Sequence, residues 1–213
     1  MNQHRPTDPM QAAKHPSTTP PPPPDRREAT RLRIIKGAAE VFGQQGFAGT
    51  SVQAILDAAG VSRRTFYQCF SDKSAVLAAI YERSLNHLYA CRREAMKHPG
   101  SGPERLQRAQ AVYLDFVATA GPVVRVITTE ALRPDSPLYA LRLTMHQQIE
   151  DQYCAVFREA EGRDLDPLIA RSIILLSESL SIHILTQHPD DPARLQRAAE
   201  VLNRHIEQLL AAE

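Results

Sequence analysis

Only three of the 213 residues are cysteine, at positions 69, 91 and 154, and none stands in a C-x-x-C pair. So few thiols, odd in number and far apart, indicate neither a disulfide framework nor a cysteine zinc site, and all three are expected to be plain reduced thiols. His87 and Cys91 lie four residues apart on one helical pattern, yet no third ligand follows them, so no metal is expected. The chain also lacks any run near the roughly 20 continuous apolar residues that a membrane helix needs. No apolar stretch backs the early charges, so no secretion signal is expected and the protein is expected to work in the cytoplasm. A Gly-rich phosphate loop and a nucleophile with a paired base are missing as well, which argues against an enzyme and calls for no cofactor. The alternation that marks half-buried strands does not occur, and no repeats are found.

What is present is enough to fold. Hydrophobic residues make up 43% of the chain and charged residues 23%, a composition suited to a buried core and a water-facing surface. The net charge of +1 conceals an asymmetry. Residues 26–97 hold 12 basic and 6 acidic side chains, whereas residues 98–213 hold 11 and 16. A basic segment joined to an acidic remainder fits a nucleic-acid-binding unit attached to one that avoids phosphates. Half of the 16 prolines fall in residues 1–25, ending in the run Pro20 to Pro24. That segment has no apolar face to bury and is expected to be a disordered tail, stiff and polyproline-like at its end.

From Arg26 onward the pattern is helical throughout. Leu32, Ile35, Ala39 and Phe42 share one face of a first helix that stops at Gln44-Gln45-Gly46-Phe47. Gly46 suits a left-handed closing residue, with Phe47 folding back onto Phe42. Thr50-Ser51-Val52-Gln53 reads as a capping box opening a short second helix that ends at Ala58-Ala59-Gly60. Ser62 caps a third helix through Phe70, and Asp72 caps a fourth that runs from Lys73 into the nineties. After the break at Lys97–Pro103, helices are expected at about 104–120, 123–133, 137–161, 167–187 and 192–212.

The stretch from Thr50 to Leu77 carries the functional signal. Ala59-Gly60-Val61-Ser62 is the connection of a helix-turn-helix, with glycine supplying the positive φ of the turn. Val52, Ile55, Leu56, Ala59, Val61 and Phe66 are spaced to form its joint core, and Ala58 and Ala59 are small enough for its two helices to cross closely. Arg63, Arg64, Thr65, Tyr67 and Gln68 remain for the outer face of the third helix. Arginine can bond a guanine edge with two hydrogens, glutamine can do the same with adenine, and Thr or Tyr can reach a phosphate or a thymine methyl. Cys69 on this helix is read as a packing residue, not a redox switch.

These residues resemble the TetR-type (tetracycline-repressor-like) regulators between about Arg27 and Leu85. The resemblance rests on Phe42, Gly46-Phe47, Thr50-Ser51-Val52, Ile55, Ala59-Gly60-Val61-Ser62, Thr65-Phe66-Tyr67, Phe70 and Asp72-Lys73. Leu56, Cys69 and Ser74-Ala75 depart from the usual pattern. The resemblance implies an all-α protein of about nine helices: an N-terminal three-helix DNA-binding domain over 26–88, with its motif at about 50–70, and a C-terminal bundle over 89–213 for ligand binding and dimerisation. It implies that Tyr67, Lys73, Thr50 and Ser51 contact phosphates of a palindromic double-stranded operator. It places the helices at 167–187 and 192–212 in a homodimer interface, which would account for the many-sided apolar character of the first and the apolar stripe of the second. It also implies a pocket for an unidentified small effector, for which Tyr113, Phe116, Met145, Ile149, Tyr153 and Glu178 are the candidate lining residues. A ligand-responsive repressor is the expected function. An activator or a regulator without a ligand stays open, as does a helical enzyme whose basic face binds phosphorylated substrates.

Overall fold

The structure, a computed structural model, describes residues 26–188 and 191–211; the proline-rich tail expected at 1–25 lies outside the described residues. Nine helices and no strands occur among the described residues: α1 (Arg26–Gly49), α2 (Val52–Ala59), α3 (Arg63–Cys69), α4 (Lys73–Met96), α5 (Gly102–Thr119), α6 (Pro122–Ala131), α7 (Pro137–Glu161), α8 (Pro167–Gln187) and α9 (Pro192–Ala211). The expected boundaries agree within two residues for α5 to α9, because proline, serine and aspartate at the starts leave little freedom. Ser101 and Glu104 form a reciprocal capping box on α5, while Ser136 and Asp166 cap α7 and α8.

Three local expectations are corrected. First, α2 is capped by Ser51, whose hydroxyl accepts from the amide of Ala54, and not by Thr50. Thr50 donates its hydroxyl back to the carbonyl of Gly46 at 2.7 Å, so it closes the preceding turn. Second, the buried stripe of α1 runs through Ile34, Ala38, Val41 and Phe42, leaving Leu32, Ile35 and Ala39 half-buried beside it. Third, the close crossing made possible by small residues is between α1 and α2. A Cβ on Gly37 would stand 2.8 Å from the amide nitrogen of Ala59 and 3.0 Å from the carbonyl carbon of Ala58.

Gly46 breaks α1 with φ 72°, and Phe47 returns onto Phe42 with ring centroids 5.6 Å apart, as the spacing predicts. The core then runs without interruption from the helix-turn-helix into the bundle. Phe42, Ile55, Phe66 and Leu77 belong to the same buried cluster as Val117, Val124, Ile127 and Ile184. The link is close: the backbone of α1 at Gly43 lies against Pro122 and Val123 at the start of α6. α4 passes through position 88 unbroken and packs on both α5 and α7. A second buried cluster, with Met96, Leu106, Tyr153, Phe157 and Ile206, fills the far end of the bundle.

α8 is long and apolar enough to cross a membrane by length and composition. Arg171 and Glu178 on it are nevertheless ion-paired with Glu150 and Arg142 of α7, which marks a helix packed within protein. Its outward side still exposes Leu168 (75%) and Leu175 (40%), and α9 exposes Val201 (38%).

Candidate nucleic-acid interface and cavity

α3 is only seven residues long and cannot hold itself in place. Ser62 caps its start through the amide of Thr65, and Phe66 is fully buried beneath it. Its carbonyl end is closed from α1: Arg27 donates to the carbonyl of Gln68, and Arg31 to that of Cys69 while lying 4.3 Å over the Phe70 ring. Arg33 does the same for α2, donating to the carbonyls of Ala59 (3.3 Å) and Gly60 (2.9 Å). Guanidinium groups at helix C-termini satisfy orphan carbonyls and oppose the negative end of the dipole. Part of the basic charge that pointed to nucleic acid is therefore engaged in building the reading head. Composition alone did not reveal this use.

Arg64, Tyr67 and Gln68 are exposed on the opposite side, with Tyr67 50% accessible. Arg63 is exposed too and donates to Gln53 of α2, which itself bonds Asp57. Thr65 is half-buried, its hydroxyl 2.8 Å from that of Ser62. Ser51 is exposed at the start of α2. Thr50 and Lys73 are placed differently from the phosphate-facing role that was expected. Thr50 is 2% exposed. The ammonium of Lys73 donates to the carbonyls of Phe47 (2.8 Å), Ala48 (3.3 Å) and Thr50 (2.7 Å), and sits 4.8 Å from the centre of the Phe47 ring. Both residues hold the turn between α1 and α2.

In the C-terminal half a cavity of about 60 Å³ opens between α4, α5, α6, α7 and α8. Of the six residues expected to line a pocket, it brings together Tyr113, Phe116, Met145, Ile149 and Glu178. Tyr153 is not among its lining residues. It is fully buried one turn further along α7, and its hydroxyl donates to Gln110 at 2.9 Å.

Residues 34–80 match the family model described as bacterial regulatory proteins, tetR family. The match covers the helix-turn-helix with part of α1 before it and part of α4 after it, and the chain is a DNA-binding transcription regulator similar to that family. The transcriptional activator FasR of Mycolicibacterium smegmatis is 31% identical over 91 residues, spanning 43% of this chain and 42% of FasR. The regulator BetI of Paraburkholderia phytofirmans is 26% identical over 194 residues, covering 87% of this chain and 96% of BetI. Solved structures share the fold at lower identity. A TetR-family regulator from Cytophaga hutchinsonii superposes with a TM-score of 0.68 at 22% identity, over 87% of this chain and 97% of the other. The regulator FadR of Bacillus subtilis, determined in complex with stearoyl-CoA, gives 0.68 at 19% identity over 80% and 96%.

Around Glu178 and Tyr113 the cavity has polar partners that sequence reasoning missed. Glu178 accepts two-pronged hydrogen bonds from Arg142, with His146 3.5 Å away. Burial is the largest influence on the Glu178 carboxyl and would raise its pKa, but Arg142 and His146 together bring it down to about 2. Burial pushes the Tyr113 phenol up to about 12. Arg92, 3% exposed, donates to Gln110 and lies 5.0 Å from the centre of the Tyr113 ring. Gln110 also donates to Ser177 of α8 and accepts from Tyr153. These partners are 18 to 67 residues apart in sequence, so no local spacing announces them.

Proposed function

We propose that this regulator is a ligand-responsive repressor that binds a palindromic operator as a homodimer in the cytoplasm. The observation that carries the reading is the two-sidedness of α3: Phe66 anchors it from behind while Arg64, Tyr67 and Gln68 are exposed to solvent. Two copies place α3 in successive major grooves about 34–36 Å apart. Arg63, Arg64 and Gln68 read base edges, and Thr65, Tyr67 and Ser51 serve the backbone or thymine methyls. Residues 26–88 are the DNA-binding unit, and residues 89–213 carry the effector site and the pairing surface.

The pairing surface is α8 and α9, whose exposed Leu168, Leu175 and Val201 a second copy covers. The effector site is the cavity. A volume of about 60 Å³ is far below the ~300–1,000 Å³ typical of small-molecule sites, so a ligand enters by spreading the helices around it. α4 and α6 are two of those walls, and both also touch α1. A ligand that binds better to a spread bundle therefore shifts the dimer toward a conformation with the wrong separation between its two α3 helices.

Selection from a pool of random duplexes at low salt tests the reading. Enrichment of inverted repeats with half-site centres about 10–10.5 base pairs or a multiple apart is expected. Recovery of no palindrome overturns operator binding as a dimer. FasR is a transcriptional activator, which favours activation as the second reading. A promoter fused to a reporter separates the two by the sign of the change when the gene is deleted.

A further inference from the structure

Three arginines are less than a tenth exposed among the described residues: Arg92, Arg105 and Arg142. Arg142 holds Glu178 and Arg105 holds Glu159. Arg92 has no carboxylate within ion-pair distance among the described residues. Its one hydrogen bond is a long one, 3.3 Å to the side-chain carbonyl of Gln110, which already accepts from Tyr153. Its Nε is buried without a hydrogen-bond partner, and the buried Tyr113 hydroxyl has only a weak approach to Ser181 of α8. Both residues line the same cavity.

A buried charge normally has a counter-charge, and a buried donor an acceptor. The carboxylate lining this cavity is that of Glu178, which is ion-paired with Arg142 beside it, and the guanidinium lining it is that of Arg92. Arg142 takes up the carboxylate, which leaves one positive charge, one unused donor on Arg92 and a weakly engaged one on Tyr113. Most of the remaining wall is apolar, with Leu85, Leu88, Phe116, Met145, Ile149 and Ile174, beside the polar Ser84, Thr128 and His146. We infer that the effector is an apolar molecule bearing a single carboxylate, which accepts from Arg92 Nε and the Tyr113 hydroxyl while its hydrocarbon body lies among those side chains. One unpaired cation suits a monoanion better than a dianionic phosphate monoester. Glu178, already neutralised, offers no site for a cationic head. The inference rests on the reading that this cavity is the effector site.

The test uses the full chain and four probes of equal tail length: n-octanoate, n-octanol, octyltrimethylammonium and octyl phosphate, each followed by titration calorimetry. Octanoate is expected to bind about tenfold or more tightly than octanol, the scale of one charge-assisted contact. Arg92→Gln is expected to bring octanoate affinity down to that of octanol. Tyr113→Phe reduces the ratio several-fold, and Arg92→Lys, which retains the charge, keeps part of it. The last two variants decide the matter if Arg92→Gln fails to fold. Equal or tighter binding of any other probe, a ratio untouched by all three substitutions, or no octanoate binding at all overturns the inference. Release of DNA by octanol, with no preference for octanoate, would leave the effector site standing and remove only its carboxylate chemistry. Octanoate bound with the expected preference but without effect on DNA would do the opposite.

Discussion

Replacing Lys73 by methionine separates two roles that a single lysine at this position could have. The ammonium group bonds three consecutive-turn carbonyls, those of Phe47, Ala48 and Thr50, and Thr50 is buried. A charged hydrogen bond contributes about 1.5–3 kcal/mol, but Lys73 is half-exposed and water can replace it at Ala48. The net loss is therefore about 2 kcal/mol, most of it from the carbonyls of Phe47 and Thr50. For a chain of this size that lowers Tm by roughly 4–8 °C. The assays are a thermal melt and the salt dependence of operator binding on the same protein. With Lys73 holding the turn, Tm falls and the slope of log K against log salt stays as in the parent. A lysine that neutralises a phosphate instead lowers that slope by about one per protomer. An unchanged Tm together with the reduced slope would refute the structural role derived for Lys73.

Other perturbations follow from the same packing. Gly37→Ala normally stabilises a helix by about 1 kcal/mol, yet here the new Cβ meets the backbone of α2, so urea unfolding is expected to show a loss of about 1–3 kcal/mol. Glu178 has a folded-state pKa below its ordinary value of 4.5, so its stabilisation is present above that value and is lost as pH falls toward 2. The shift corresponds to about 3 kcal/mol; urea titrations of the parent at pH 7 and pH 3 should show the loss. Glu178→Gln should shrink that pH dependence while leaving Arg142 buried without its partner, at a cost of about 3–5 kcal/mol at pH 7. Leu168→Glu with Leu175→Glu is expected to convert a dimer to a monomer in sedimentation without lowering helix content, and a dimer that persists excludes α8 from the interface.

Much of this fold can be read from punctuation. Pro122, Pro137, Pro167 and Pro192 begin helices where the periodicity begins, and Asp72 and Ser62 cap where a short polar side chain precedes an apolar run. Gly60, at φ 60°, turns the chain between α2 and α3 as its place in the sequence predicts. The cap at α2 was displaced by one residue because two hydroxyls, Thr50 and Ser51, stand side by side, and the choice between them depends on where the Gly46 carbonyl lies. Gly37 did carry a local signal, a glycine within a helical pattern. The roles of Arg27, Arg31 and Arg33 did not, since their acceptors lie 26 to 41 residues away. Tyr153 shares the helical face of Met145 and Ile149, yet it is held by Gln110 of another helix and is not a cavity-lining residue. Arg92 escaped attention for the same reason: in the sequence it is one more arginine beside Arg93, and only the folded core strips it of water and of a counter-charge.

The central claim is that α3 reads DNA through the side chains it turns away from Phe66. Fluorescence anisotropy on an operator recovered from the random pool, with the parent and the Arg64→Ala, Tyr67→Ala double variant, tests it most directly. Each lost base or phosphate contact is worth about 1–3 kcal/mol and the dimer loses both twice, so affinity should fall by at least about 100-fold. Tm should fall by no more than about 5 °C, because the packing lost is the edge-on contact of the half-exposed Tyr67 ring with Phe66. Binding within threefold of the parent at the same salt would contradict the account.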